Sequence, residues 1–200
     1  MAEKNRKVES VLLIDNNDSF VYNLAQIVEE SGLAKPQVVP YDDVTLSLPA
    51  SFDRILISPG PGIPDDFPEL LPLVKSYAPS KPILGVCLGF EAILQAWGGK
   101  IIPSGKIFHG VVKDTFIEMK EHYLFQGLTD PFRAGLYHSW IADVPSWPEE
   151  LAVTARAADG IVMALVHKQY KTVAGVQFHP ESVMTPLGRR MVENWLRTGR

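Results

Sequence analysis

The sequence predicts a three-layer α/β domain whose central sheet is mainly parallel and whose second half is rich in β-structure. Three observations carry that expectation. Short runs of consecutive apolar residues, the pattern of strands buried on both faces, alternate with helical stretches through the first 100 residues. Each run ends in a cluster of turn-forming residues. From Lys100 to Phe178 the helical spacing gives way to short β-rich pieces.

Taken in order, Val11-Leu12-Leu13-Ile14 is a buried-strand run that stops at Asp15-Asn16-Asn17-Asp18-Ser19. Asp18 or Ser19 is expected to cap the next helix, since a short side-chain oxygen can accept a free amide of the first turn. Phe20, Val21, Leu24, Ile27 and Val28 then recur at helical spacing until Gly32 offers a stop. Val38-Val39 is a short strand signal. Arg54-Ile55-Leu56-Ile57 is a further buried strand, broken by Ser58-Pro59-Gly60-Pro61-Gly62-Ile63-Pro64. A helix is expected over about 69–77, with Pro72 tolerated only in its first turn. A strand over 82–86 hands over to a helix over 88–97 that Gly98-Gly99 ends. Four β pieces follow, at 111–117, 151–155, 160–167 and 172–178, the last two forming a hairpin across 168–171. A final helix is expected with Thr185 as cap, Pro186 in its first position, and Met191, Val192, Trp195 and Leu196 facing inward.

The 200 residues suit one hydrophobic core, so residues 10–200 are read as a single domain behind a charged segment at 1–9. With 46% hydrophobic against 21% charged residues, the chain lacks the signature of disorder. Nineteen basic against 23 acidic residues, net −4, leave no surface for neutralising phosphates, so nucleic acid is not an expected partner. The first ten residues are polar where a secretory signal needs an apolar stretch, and apolar runs such as 161–166 are far shorter than the roughly 18 residues of a membrane span. No helix shows a basic amphipathic face. A cytoplasmic location without membrane contact is expected. The lone Cys87 excludes an internal disulfide, and no cluster has metal-ligand spacing; neither metal nor cofactor is expected.

Cys87 sits where a buried strand hands over to a helix, in Gly85-Val86-Cys87-Leu88-Gly89. A nucleophile on such a turn stands clear of the backbone, and flanking glycines let strand, helix and substrate approach closely. The helix start is expected to favour thiolate, and the Leu88 N–H can point at an oxyanion beside the sulfur. A base is needed, and His179 is best placed, just beyond the end of an apolar strand, the edge where open α/β sheets form sites. Glu181 has the charge and reach to hold the imidazole's orientation. The 58–64 turn lacks the pattern of a phosphate loop, and its position after a buried strand brings it to the same edge. Its backbone amides near Gly60 and Gly62 are expected to complete the oxyanion hole with Leu88, each donor lowering the barrier by about 3 to 4 kcal/mol. His122 and His167 read as solvated or structural, His109 as a loop or partner contact, and the four tryptophans as packing.

Together, Gly85-Val86-Cys87-Leu88-Gly89, the 58–64 turn and Gly175-Val176-Gln177-Phe178-His179-Pro180-Glu181-Ser182 resemble, in order and spacing, the class I (triad) glutamine amidotransferase family. Asp15-Asn16-Asn17-Asp18-Ser19-Phe20 with Asn23, His109-Gly110 and Tyr137-His138-Ser139 are similar to its branch serving chorismate-using synthases, anthranilate synthase and aminodeoxychorismate synthase. The resemblance spans about residues 10 to 198. It implies a flavodoxin-like architecture and a glutaminase subunit in which Cys87, His179 and Glu181 hydrolyse L-glutamine. It further implies that Gly60, Pro61, Gly62, Leu88, His138 and Ser139 help bind that substrate, and that ammonia passes to a larger synthase subunit, component I of either enzyme. Competing expectations are a glutaminase serving another acceptor, as in GMP or carbamoyl phosphate synthesis, a γ-glutamyl hydrolase, and a catalytically impaired regulatory subunit.

One departure stands out. The family's usual His-Gln or Met-Gln after Cys-Leu-Gly is Phe90-Glu91 here. Glu91 lies one helical turn beyond Cys87, on the same side, where the family's glutamine contacts substrate. Read as a carboxylate, it is expected to accept a bond from the substrate's ammonium, repel its α-carboxylate and raise the Cys87 pKa, weakening glutamine affinity.

Overall fold

A computed structural model describes residues 8–106 and 108–199, so most of the charged 1–9 segment lies outside the described residues. The strands are β1 (Glu9–Asp15), β2 (Ala34–Pro40), β3 (Arg54–Ile57), β4 (Ile83–Val86), β5 (Ile101–Pro103), β6 (Val111–Ile117), β7 (Phe132–Leu136), β8 (Trp140–Ala142), β9 (Leu151–Ala157), β10 (Val162–His167) and β11 (Val173–Val176). The helices are α1 (Val21–Glu30), α2 (Leu70–Tyr77), α3 (Leu88–Ala96) and α4 (Gly188–Arg197). The main sheet runs β2-β1-β3-β4-β11-β10-β9-β6-β7, and β5 pairs with β8 apart from it. The first five of these strands are mutually parallel; from β11 outward every pairing is antiparallel. The parallel half is the α/β unit that the apolar runs announce, and the antiparallel half is the β-rich extension.

Period-two alternation explains the three layers. Val11 and Leu13 of β1, Leu56 of β3 and Leu84 and Val86 of β4 face one side, where they pack with Val21 and Leu24 of α1 and Met191, Val192 and Trp195 of α4. Leu12, Ile14, Ile55, Ile57 and Ile83 face the other, against Leu70, Leu73 and Val74 of α2 and Ile93 of α3. Buried Arg54 ties α4 to the sheet: its Nε meets Glu9 Oε2 at 2.5 Å, and its guanidinium donates to the carbonyls of Trp195 and Thr198 at 2.9 and 2.6 Å. These bonds offset the cost of burying the charge.

The expected helix starts need correction. At α1 neither Asp18 nor Ser19 caps the helix: Phe20 holds the cap position without a side-chain bond, and Asp18 Oδ1 accepts the Phe20 amide one turn early, at 2.7 Å. At α4 the helix begins at Gly188, and Thr185 Oγ1 instead accepts the Gly135 amide at 2.9 Å. In both places a better tertiary or turn partner outcompetes the cap. Gly32, at φ +65°, ends α1 as expected, and Pro72 sits in the first turn of α2. The hairpin of β10 and β11 is present. The sequence reading misses β5, β7 and β8, which are three to five residues long and carry no periodicity.

Candidate active site

Strands β1, β3, β4 and β11 all end at one edge of the sheet, and the segments that leave them build the site. Because β11 lies beside β4 in register, Val86 opposite Val176, the two chain segments that carry the chemistry emerge side by side. The Cys87 amide donates to the Val176 carbonyl at 2.8 Å and locks that meeting. Cys87 itself sits at φ +52° and ψ −100°, a strained conformation for a residue with a Cβ, tolerated because bonds on both sides over-determine it. Its flanking glycines are required by contact: a Cβ on Gly85 would stand 2.3 Å from the Gly89 carbonyl, and one on Gly89 would stand 2.6 Å from the Ile57 carbonyl. The α3 start is thus seated directly on the sheet, with Leu88 as its first residue.

Beyond β11, His179 Nδ1 meets Glu181 Oε1 at 2.6 Å, both side chains being almost fully buried. The Gly135 carbonyl on β7 accepts the His179 amide at 3.0 Å, so the unpredicted edge strand fixes this loop. The Tyr137 ring abuts the imidazole edge-on, centroids 4.9 Å apart. Cys87 and His179 line one cavity of about 250 Å³, together with Asp18, Phe20, Gly60 and Tyr137.

A second cavity, of about 180 Å³, also borders Cys87 and is lined by Gly60, Pro61, Gly62, Leu88, Glu91 and the 137–140 segment. Every residue expected to contact substrate therefore borders one hollow beside the cysteine. A larger cavity, about 600 Å³, lies elsewhere, between Met119–Tyr123 and the end of β10, and is lined by none of these groups. The 58–64 loop is held from beneath by fully buried Asn16, whose backbone amide donates to Ser58 Oγ at 3.0 Å and whose Nδ2 donates to the Ser58 carbonyl at 2.9 Å. Gly60 presses so closely on Asn16 that a Cβ would stand 2.7 Å from its carbonyl oxygen. Farther along, Asp66 Oδ2 accepts the Ile63 amide at 3.0 Å. The carbonyls of His138 and Ser139 accept amides of Phe108 and Ser104, at 3.1 and 2.8 Å. His138 Nδ1 bonds the Trp140 carbonyl at 2.6 Å, and burial lowers its pKa to about 4, so the ring is neutral.

Two electrostatic expectations are corrected. Burial pushes the Cys87 thiol well up, as do the charges of Glu91 when ionised, Glu181 and Asp18; the Leu88 amide pulls it back only in part. The resting sulfur is a thiol despite the helix start, and its ionisation needs a base. Glu91 is 3% exposed, and burial raises its pKa to about 8 against a small opposing effect of its bond from Gln177. Below that pH it is mostly a neutral acid, so the charge repulsion expected of it is absent.

Three residues escape the sequence reading. Gln177, fully buried, donates from Nε2 to Glu91 Oε1 at 3.1 Å and lies 3.9 Å from Cys87 Sγ. Asn16 and Tyr137 act as described above. Each lies inside a quoted motif, and a polar residue directly after a buried strand is the signal that could have marked Asn16 and Gln177. Among the described residues no group of three or more His, Cys, Asp or Glu side chains could hold a metal ion. No described helix is long and apolar enough to cross a membrane.

The arrangement offers a nucleophile on a rigid turn, an imidazole oriented by a buried carboxylate, and backbone amides at a helix start, the parts of covalent acyl transfer. Comparison with known proteins accords with those parts. The family model for glutamine amidotransferase class-I matches residues 12–198. Anthranilate synthase component 2 of Thermus thermophilus is 46% identical over 198 residues, covering 96% of this chain and 94% of that protein. The chloroplastic anthranilate synthase beta subunit 2 of Oryza sativa is 44% identical over 94% of this chain and 70% of its own length. Anthranilate synthase component 2 of Cyanophora paradoxa is 42% identical, covering 93% of this chain and 97% of its own. A solved structure from Thermoplasma acidophilum, described as a GMP synthase protein, superposes with a TM-score of 0.83 at 22% identity, over 96% of this chain and 94% of that one, and shares the fold.

Proposed function

The chain belongs to the class I glutamine amidotransferase family and is an enzyme, and from that premise we propose that it is the glutaminase subunit of a chorismate-using synthase, with anthranilate synthesis as its pathway. The observation that carries the reading is the convergence of Cys87 with the His179–Glu181 pair on one cavity at the carboxyl edge of the sheet. His179 takes the Cys87 proton as sulfur attacks the side-chain amide carbon of glutamine. The tetrahedral oxyanion is held by the Leu88 amide and the Gly60 to Gly62 backbone. The C–N bond breaks, His179 returns the proton to the departing ammonia, and a γ-glutamyl thioester remains. Water, deprotonated by His179, then attacks the thioester carbon, the C–S bond breaks, His179 returns that proton to the departing Cys87 sulfur, and glutamate is released. Glu181 stabilises the imidazolium formed in both steps. Gly60, Pro61, Gly62, Leu88, Glu91, His138 and Ser139 bind the amino acid. Ammonia passes to component I of anthranilate synthase or of aminodeoxychorismate synthase. A partner is supported by exposed apolar side chains: Phe20, which lines the Cys87–His179 cavity, is 44% exposed, and Tyr22 and Val183, close along the chain to Phe20 and His179, are 69% and 93% exposed.

The test is ammonia release from glutamine by the purified chain, alone and with each large subunit plus chorismate. Release is expected to rise with the anthranilate partner, to vanish in Cys87→Ala, and to fall by roughly 10⁴ in Glu181→Gln, the scale seen when a triad carboxylate becomes an amide. Glutamine hydrolysis that survives Cys87→Ala would overturn the mechanism. Stimulation by the aminodeoxychorismate partner alone would overturn the pathway.

A further inference from the structure

Among the described residues Glu91 is the one acidic side chain lining the hollow beside Cys87, and the groups around it do not suit a charge. Its Oε1 accepts the Gln177 amide, a neutral donor, at 3.1 Å. The remaining titratable groups lining that hollow among the described residues are the Cys87 thiol, Tyr137 and the neutral His138, and no described lysine or arginine lines it. On the neighbouring elements packed on α3, the charged residues Asp65, Asp66, Glu69 and Lys75 are exposed to solvent. β4, β8 and β11 carry no charged residue. The other carboxylates acting on the same sulfur, Glu181 and Asp18, are like charges. A buried carboxylate without a cation keeps its proton.

With Oε1 occupied by Gln177, the proton belongs on Oε2. A carboxylic acid then presents one O–H donor, as an amide presents its N–H. Glu91 stands one turn along α3 from the nucleophile, about 6 Å of helix rise. That is close to the span of the four carbon–carbon bonds separating the reacting δ-carbon of glutamine from its α-carboxyl carbon. Resting on the glutaminase reading above, we propose that Glu91 is a substrate-binding residue that works as a neutral acid, donating a hydrogen bond to the substrate's α-carboxylate, with Gln177 as its positioning residue. Ionisation of Glu91 removes the donor and sets a negative charge against the carboxylate, so affinity for glutamine falls on the alkaline side. The burial that raises its pKa to about 8 places that loss within reach of experiment.

Two measurements on the full chain test this. Infrared difference spectra between the wild type and Glu91→Gln are expected to show a carboxylic-acid carbonyl band at pH 7 that titrates away by pH 9. A carboxylate band at pH 7 would overturn the proposal. Glutamine affinity is then followed by calorimetry from pH 7 to 9 in Cys87→Ala and in Cys87→Ala/Glu91→Gln, so that no turnover intrudes and the substrate's own titration is common to both. The single variant is expected to weaken about tenfold relative to the double variant by pH 9, as the competent fraction falls. Glutaminamide, which lacks the α-carboxylate, is expected to show no such difference. Parallel profiles for glutamine would overturn the proposal and leave the glutaminase reading intact. Absence of glutamine binding at every pH would overturn both.

Discussion

Replacing Gly89 with alanine tests whether the seating of α3 on the sheet sets the chemistry. The new Cβ would stand 2.6 Å from the Ile57 carbonyl oxygen and 2.9 Å from the Ile57 Cβ, where van der Waals contact needs about 3.5 Å. Both contacts are to fully buried Ile57, the last residue of β3, which is paired on both sides with Ile14 and Gly85 and has little room to yield, so the first turn of α3 must lift by somewhat under about 1 Å. That costs roughly 1–3 kcal/mol of stability. The same shift carries Cys87 and the Leu88 amide away from the 58–64 loop and His179, and a displacement near 1 Å can cost about 10²-fold in rate. Gly98→Ala is the control: Gly98 has φ +88° and open space around it, so alanine meets backbone strain of about 1–2 kcal/mol and no neighbour. The assay pairs urea midpoints with Cys87-dependent ammonia release in the presence of the synthase partner. Both variants are expected to lose stability, and only Gly89→Ala to lose kcat, by ten- to a hundredfold. A Gly89→Ala enzyme that is destabilised yet turns over within twofold of the wild type would refute the argument that helix seating sets the site.

The other predictions concern the rim and the acid limb. Val183→Asp puts a charge on the most exposed large apolar side chain among the described residues, four positions beyond His179, and is expected to raise the Kd for the synthase partner about tenfold or more while shifting the chain's own stability by less than about 0.5 kcal/mol; an unchanged Kd in titration calorimetry would remove Val183 from the interface. His138, 5% exposed, has a native pKa of about 4 against 6.5 unfolded, so the unfolded chain binds the proton first and stability is lost as pH falls from about 6.5 toward 4. The loss is on the order of 3 kcal/mol, and His138→Gln is expected to flatten that part of the urea-midpoint profile; an unaltered acid limb would assign it to other groups.

Cys87 is legible in the sequence because its signal is local: a buried run, a glycine two residues either side of it, and a helix spacing that begins at once. His179 and Glu181 are legible for the same reason, since they lie two positions apart and the bond between them needs no distant partner. The parallel half of the sheet follows from its apolar runs. Strand β7 is opaque because Phe132–Leu136 contains a glycine and has no alternation, its place being set by Thr185 and His179 from across the chain. The caps at Asp18 and Thr185 fail because local propensity names a residue able to cap, whereas the bond actually formed goes to whichever amide tertiary packing brings nearest.

The sequence by itself determined which chemical groups are available, the strand-to-helix turn that lifts the cysteine, and the layered α/β class. Only the tertiary structure decided their company and their charge. Insertion of β11 beside β4 joins residues some ninety positions apart, bringing Gln177 to Glu91 and the carboxylates to Cys87. A proton stays on Glu91 and on the Cys87 sulfur because desolvation and neighbouring charge depend on what surrounds a group in space, and those surroundings are assembled from segments that are remote along the chain.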